Sequence, residues 1–572
     1  MAINQPPSQT NTRLRLPKLA LETFVALLVT LFAAALLVLT AINAGPLWRD
    51  EINTASVAQM PTLQELWHYL TCESFPPLYP LLLRLAGLLG LAGSDIDIRL
   101  LGLYVGLGVL GSFWLCARWL GCRAPILSMG LLGALPAFVF IMGSNRAYGL
   151  ASCLLLLTFG TIWRMVMVPS KARILTAGIV SLGFAHCLYY DIVFLAAMLA
   201  GGALVALRRR QWKTLAALTG IGAVSAFSLA VYLPIVRQAT VYVHMFQWPG
   251  FSFSILWHNM GDAVTARSSG DMGRNGPEIW LWITLLLGAA IATLFAQRKS
   301  PTTSETAATP GTAHAQRGDL AMFCLVSMAM GVAGQLAFLY HLQYWTQTWH
   351  YAGMLCLCAI CFDGILGASW PALRPWGFLR IGLMVALVAW TARAGWREAH
   401  TRRSNMDLIA TLLEKNASAQ DLIVVDTVWE GITFNRYYHG VAPWATVPPV
   451  NSHLVHRNDL VIEQINQSEP MAPVLHDMTN ALAGGHTVWL LGGITKMSPD
   501  DPQTSLPPRW VGTHALHWAA QVSATLLNHA QTERVIEMPI AASIFCLEKR
   551  PLVEFTGYRP GNEPTKARAA DH

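Results

Sequence analysis

Residues 47–60 read LWRDEINTASVAQM and set two adjacent carboxylates, Asp50 and Glu51, just beyond the first long apolar run. A carboxylate at a membrane face suits proton abstraction or cation binding, because partial desolvation raises its basicity. An ordinary solvated loop would carry the same dipeptide. About 20–25 residues further on, 73–84 read ESFPPLYPLLLR. Proline fixes its own φ and steers the preceding residue away from helix, so Pro76 and Pro77 give an extended entry to the apolar segment 77–93. An amphipathic helix there, lying along a membrane surface, would shape a lipid groove. Further polar groups gather at the ends of apolar runs: SNRAYGLAS at 144–152 with Arg146 and Tyr148, HCLYYD at 186–191 with His186, Tyr189, Tyr190 and Asp191, and His350-Tyr351.

The elements that must position these residues follow from composition. Of the 572 residues, 54% are hydrophobic and only 12% charged, against about 25% charged in an average soluble domain. The mean hydropathy of +0.42 agrees. A soluble enzyme, a secreted disulfide scaffold and a disordered chain are excluded, which leaves a polytopic membrane protein. A run of about 20 apolar residues spans a bilayer. Such runs lie at 19–43, 98–117, 124–142, 148–166, 174–190, 191–207, 214–234, 278–297, 320–340, 351–368 and 380–396, predicting about eleven transmembrane helices. The first is longer than a usual signal-peptide core and lacks a clear cleavage site, so it reads as retained, after a cytoplasmic tail at 1–18.

The segment 77–93 contains Pro80 and Arg84 and is short for a span. Charge decides it. If it does not cross, one set of breaks holds Arg118, Arg123, Arg164, Lys171, Arg173, Arg208, Arg209, Arg210, Lys213, Arg298, Lys299, Arg317, Arg374 and Arg380, and the other holds Arg146, Arg237, Arg267 and Arg274. Fourteen against four is the cytoplasmic excess of the positive-inside rule, and a crossing at 77–93 would invert it. The expectation is an outer loop 44–97 carrying the Asp-Glu pair, a membrane domain 19–396, and a C-terminal segment 397–572 outside the cytoplasm. That segment alternates strand-like stretches (422–426, 487–493, 542–548) with helix-like ones (429–438, 512–530), as a small α/β domain does. The segment 298–318, rich in Thr, Ala and Ser, reads as a flexible cytoplasmic loop.

Several chemistries are absent from the pattern. The ten cysteines show no disulfide framework, and Cys356, Cys358 and Cys361 lie in an apolar helix as packing residues. The histidines lack close metal-ligand spacing, so no structural zinc is expected; room remains for a loosely bound divalent cation near Asp50. There is no Gly-rich nucleotide loop, no basic stretch interleaved with aromatics for nucleic acid, and no evident inverted repeat.

An Asp-Glu pair after the first span followed by Pro-Pro-Leu-Tyr resembles the GT-C superfamily of polyprenyl-phosphate-sugar-dependent membrane glycosyltransferases, especially bacterial enzymes related to protein O-mannosyltransferases and the lipid A aminoarabinose transferase. IRLLGLYVG at 98–106, SNRAYGLAS and HCLYYD extend the likeness over about residues 19–210. The resemblance implies that Asp50 is the general base taking a proton from an acceptor hydroxyl, with Glu51 orienting the acceptor or supporting Asp50. It implies a sugar donor on a polyprenyl phosphate, attacked with inversion, and a lipid, glycan or protein acceptor. The leaving phosphate needs positive charge, for which Arg146 is best placed and Arg49, Arg267 and Arg274 are alternatives; arginine's bidentate fork suits phosphate. Tyr79, Tyr148, His186, Tyr190, Asp191, His350 and Tyr351 are then substrate-binding candidates. The loop 235–277, with Tyr242, His244, Trp248, His258 and Asp262, would cover the cleft and stack on sugars; an interfacial aromatic belt would look the same, as would His341, Trp345 and Trp349. Where aminoarabinose-transferase-like sequences have Lys before Pro-Pro, this chain has Phe75, and where relatives show Arg-Tyr it has His350-Tyr351.

Two other classes compete. A transporter or flippase of lipid-linked glycans would carry charges along a path through several spans, whereas here they concentrate at the ends. A polysaccharide polymerase or assembly protein would not need the Asp-Glu pair.

Overall fold

The computed structural model describes residues 18–246, 252–265, 278–298, 310–343, 346–368, 374–496, 510–538 and 548–560. Helix α1 (Lys18–Asn43) leads into three short helices, α2 (Arg49–Ala58), α3 (Leu63–Tyr69) and α4 (Leu78–Leu88). Next come α5 (Asp95–Trp119), α6 (Ile126–Leu132), α7 (Pro136–Met142), α8 (Ala147–Met167), α9 (Lys171–Ala185) and α10 (Asp191–Arg208). Helix α11 (Trp212–Leu229) runs through a tight turn into α12 (Leu233–Phe246). Then follow α13 (Phe253–Val264), α14 (Glu278–Arg298), α15 (Pro310–Leu342), α16 (Ala352–Phe362) and α17 (Arg374–Ala399).

Among the described residues eight segments are long and apolar enough to cross a membrane: Leu21–Asn43, Asp95–Trp119, Ala147–Met167, Asp191–Arg208, Trp212–Tyr242, Gln316–His341, Thr348–Gly367 and Phe378–Ala399. The other three expected runs fall on shorter or broken helices. Run 124–142 splits into α6 and α7, because Pro136 has no N–H to continue a helix and instead starts one. Run 174–190 gives the 15-residue α9, and run 278–297 gives α14, whose described apolar part is Glu278–Leu294. Of the expected loop 298–318, residues 299–309 lie outside the described residues, and the rest is helical: α15 starts at Pro310, a residue preorganised for a first helical turn. Helix α4 has 11 residues, about 16 Å of rise, and so falls well short of the roughly 30 Å hydrocarbon core.

The helices alternate between two ends. At one end Arg209 pairs with Asp319 at 2.7 Å, Arg380 with Glu22 at 2.5 Å, and Asp363 accepts from Ser128 Oγ at 2.6 Å. These are the basic breaks of the sequence. The other end carries Asp50, Arg146, Arg403 and the C-terminal segment. Two glycine sites fix the approach there. Gly45 sits at φ +71° against the Arg402 guanidinium, 2.6 Å from where a Cβ would stand. Gly106 lets α5 close on the turn after α7, where a Cβ would meet Met142 O at 3.0 Å.

The C-terminal segment adds α18 (Met406–Asn416), β1 (Leu422–Val425), α19 (Gly431–Tyr437), β2 (Trp444–Thr446), α20 (Asn458–Ile465), α21 (Ala472–Ala483), β3 (Val488–Leu491), α22 (Val511–His529), β4 (Ala530–Ile536) and β5 (Leu552–Tyr558). The sheet order is β2-β1-β3-β5-β4, with β1 parallel to β2 and β3, and β5 antiparallel to β3 and β4. Successive strand residues face opposite sides. Leu422, Val424, Val488 and Leu490 pack with Met478, Leu482 and Trp518, while Ile423, Val425, Trp489 and Leu491 pack with Met406, Ile409 and Phe434. The chain that follows the carboxyl ends of β1 and β2, where open α/β sheets commonly form their crevice, reaches α2 through Glu430 and His456.

Candidate functional site

Helix α2 organises this end. Asp50 and Glu51 lie in its first turn, where the helix dipole favours negative charge. Their environments diverge. Glu51 is 1% exposed. Its Oε1 accepts from the Arg403 guanidinium and from the Asn145 N–H at 2.9 Å, and Oε2 accepts from the Trp48 N–H at 3.4 Å. Glu51, expected to orient the acceptor or support Asp50, sits in a buried ion pair that ties α2 to the turn after α7 and to the chain leaving α17. Asp50 is different: its side chain is 21% exposed, and its only hydrogen bond among the described residues joins Oδ1 to His456 Nε2 at 3.3 Å. Burial pushes its carboxyl up, but the His456 bond and the charges of Arg146 and Arg49 outweigh that and hold it well below the usual carboxylate range. Asp50 is thus ionised and keeps Oδ2 open.

Arg146, just before α8, is 6% exposed. Its Nη1 donates to Glu73 Oε2 at 2.9 Å, Thr54 Oγ1 at 2.7 Å and the Asp50 carbonyl at 3.0 Å. Nη2 has one contact, Ser74 Oγ at 3.4 Å, and Nε has no hydrogen-bond partner among the described residues. The guanidinium lies 4.7 Å from the Phe75 ring centroid. Burial works against its charge, but Glu73 and Asp50 push it above the ordinary arginine value. One edge of the fork is thus tied to the protein, and Nε is buried and unpaired among the described residues. Phe75, where a lysine was the alternative, supplies the face on which the arginine rests.

The third cationic group, Arg49, reaches the C-terminal segment. Its N–H donates to Glu548 Oε1 at 2.8 Å, and its Nη1 to Glu430 Oε1 at 3.4 Å, while Nε lies 3.5 Å from Asp50 Oδ1. Arg550 Nη2 also donates to Glu430 Oε1, at 2.5 Å. Glu430 and Glu548 are both fully buried. Burial, with the Glu430 charge beside it, pushes Glu548 up to about 8. After β2 the chain 450–457 crosses α2 as a strap. Its His456 N–H donates to Asn53 Oδ1 at 2.8 Å, one turn from Asp50, and Val455 is buried with Val57, Met60 and Leu66.

The expected substrate residues divide. An aromatic line starts at Trp48, beside Arg49: Trp48 to Trp349 at 6.1 Å, Trp349 to Tyr148 at 6.5 Å and to His350 at 6.0 Å, and His350 to Tyr190 at 6.3 Å between ring centroids. Tyr148, His350 and Tyr190 are therefore brought together with the site. Asp191 follows in the first turn of α10, fully buried, with neither oxygen hydrogen-bonded among the described residues. The others are committed to structure. Tyr79 is fully buried and donates to Asn145 Oδ1 at 2.6 Å. His186 has both ring nitrogens engaged, Nδ1 with Tyr232 Oη at 2.8 Å and Nε2 with Ser228 Oγ at 3.0 Å. Tyr351 Oη sits 2.8 Å from Thr346 Oγ1. Arg267, Arg274, Trp248 and Trp345 lie outside the described residues.

A divalent cation fits this setting poorly. Asp50 is flanked by Arg49 and Arg146, and among the described residues no group of three or more His, Cys, Asp or Glu could hold a metal ion. The residues that reading the sequence missed are Glu73, Arg403, Glu430, His456, Glu548 and Arg550. Glu73 stood in the quoted ESFPP stretch, but its partner Arg146 is 73 positions away; the rest reside in the C-terminal segment, where nothing local marks them.

No family model and no curated protein sequence matches this chain. Among solved structures it is similar to the oligosaccharyltransferase of Archaeoglobus fulgidus in complex with zinc and sulfate, at 12% identity over 82% of this chain and 68% of that one, with a TM-score of 0.46. The same enzyme tethered to an acceptor peptide gives 10% identity over 94% and 74%, with a TM-score of 0.43. ArnT from Cupriavidus metallidurans bound to undecaprenyl phosphate gives 15% identity over 92% and 98%, with a TM-score of 0.38.

Proposed function

We propose that the protein is a membrane glycosyltransferase that moves a sugar from a polyprenyl-phosphate donor to a lipid, glycan or protein acceptor at the outer face of the membrane, with Asp50 as general base. One observation carries this reading: Asp50 is ionised, partly exposed and open at Oδ2, between two arginines, at the end of the bundle away from the basic breaks. The acceptor oxygen attacks the anomeric carbon, its proton passes to Asp50 Oδ2, and the C1–O bond to the phosphate breaks, so inversion results. The phosphate leaves with the bonding pair and is held by the buried, unpaired Nε of Arg146 and by Arg49; the aromatic line through Trp349 bounds the sugar or lipid.

Asp50 in the resting site is a weak base. A donor phosphate placed on Arg146 and Arg49 cancels part of the positive field that depresses it, so donor binding raises the basicity of Asp50. The order that follows is donor first, then proton abstraction. Incubating the purified protein with lipid-linked sugars extracted from membranes, with mass spectrometry of the sugar-bearing products, tests the reading. A new glycosylated product and free polyprenyl phosphate are expected; translocation of an unaltered lipid-linked sugar would instead establish a flippase.

A further inference from the structure

We propose that His456, delivered by the C-terminal segment, positions Asp50 for catalysis and that protonation of its imidazole switches the base off. The inference rests on Asp50 as general base and adds its regulation.

The geometry is built from two grips on one strap. Helix α2 presents Asp50 and Asn53 one turn apart on the same face. Asn53 Oδ1 accepts the His456 N–H at 2.8 Å, and Asp50 Oδ1 meets His456 Nε2 at 3.3 Å. Asn53 is itself fully buried and donates to the Cys72 carbonyl at 3.1 Å. The strap is pinned further by Val455 in its apolar cluster. His456 is thus fixed by main chain and side chain together. An ionised carboxylate only accepts, so Nε2 carries the hydrogen and Nδ1 keeps its lone pair in the neutral ring. Nδ1 is buried and has no hydrogen-bond partner among the described residues.

That arrangement does two things. The Nε2–H···Oδ1 bond fixes the rotation of the Asp50 carboxylate, so Oδ2 is the oxygen left for the acceptor proton. A proton arriving at Nδ1 converts the neutral donor into an imidazolium against Asp50, and the ion pair lowers the carboxylate's proton affinity further. The charged and titratable groups around the pair are Arg49 on α2 with Glu548 against its N–H, Arg146 behind Asp50, Tyr69, Cys72 and Glu73 before α4, and His453, Arg457 and Asp459 near His456. Arg457 and Asp459 neutralise each other at 2.7 Å. Asp50 stays ionised throughout the accessible range. Glu548, which accepts the Arg49 N–H and is pushed up to about 8, lies close by; His456→Gln leaves it in place, so only an acidic limb lost in that variant is assigned to the imidazole.

The test measures initial rates with lipid-linked sugars extracted from membranes, from about pH 5 to 9, for the wild type, His456→Gln, His456→Ala and Asp50→Asn. Glutamine keeps an N–H donor for Asp50 but does not titrate. His456→Gln should therefore hold a near-normal plateau rate and lose the acidic limb. His456→Ala should lower kcat by about 10–100-fold, as a misplaced catalytic group does, with little change in donor KM. An acidic limb unchanged in His456→Gln overturns the inference, and that variant decides the matter if His456→Ala does not fold. An inactive Asp50→Asn beside an unmoved limb sinks only the role of His456; an active Asp50→Asn sinks the base reading beneath it.

Discussion

The Arg403 guanidinium donates to Glu51 Oε1 in an ion pair buried on both sides, joining α2 to the chain that leaves α17. Removing one partner of such a pair leaves an uncompensated buried charge, at a cost of about 3–5 kcal/mol. Glu51→Ala should therefore lower the melting temperature of the purified protein sharply, and Arg403→Ala should do the same. If Glu51→Ala melts like the wild type and only turnover falls, Glu51 acts on the acceptor after all.

Arg146 has a structural duty to Glu73 and a buried Nε that is unpaired among the described residues. Arg146→Lys keeps a positive charge near Glu73 but removes the fork. Donor-lipid affinity should fall by about 10–150-fold, the equivalent of a lost charge-assisted contact of about 1.5–3 kcal/mol, with a smaller loss of thermal stability than in Arg146→Ala. Equal affinity for polyprenyl phosphate in wild type and Arg146→Lys would move the phosphate site to Arg49 or to the loop that contains Arg267 and Arg274.

The part of the site that could be read from the sequence is the local part. Asp50-Glu51 and Pro76-Pro77 are contiguous, and the shortness of the helix in segment 77–93 was legible in its length and Pro80. Likewise Leu422–Val425 and Val488–Leu491 are continuous apolar runs, as buried parallel strands are. What stayed hidden is long range. His456 lies 406 positions from Asp50 and Arg403 lies 352 from Glu51. A carboxylate dipeptide does not announce which member will be desolvated, because that depends on partners the fold brings in. The break in run 124–142 was legible in Pro136 and was outweighed by the hydropathy around it.

Glu548 gives a stability signature. Its carboxyl is pushed up to about 8 from an ordinary 4.5 by burial and by Glu430. The folded protein then binds more protons there than the unfolded chain, so stability falls as pH rises through that window. Glu548→Gln should flatten the decline in melting temperature between those pH values and leave the protein relatively more stable above about pH 8. A decline unchanged in the variant would show that another group carries it.

The orientation proposed for the bundle rests on the two-ended distribution of arginines. A cysteine replacing Arg210 should react with a membrane-impermeant maleimide only from the cytoplasmic side, and one replacing Gln467 only from the outside. The reverse pattern would put Asp50 in the cytoplasm and remove the donor class proposed here.

Asp50 itself decides the central claim. A sugar hydroxyl is a poor nucleophile at neutral pH, and a positioned carboxylate contributes about 10²–10⁴-fold to its transfer. Asp50→Asn keeps the shape of the side chain and removes the basic oxygen. The measurement is single-turnover transfer from a saturating pool of extracted lipid-linked sugars by purified wild type and Asp50→Asn, with donor binding followed in parallel. Turnover should fall by about that factor while donor affinity stays nearly intact; full transfer by a well-folded Asp50→Asn would contradict the assignment of Asp50 as the base.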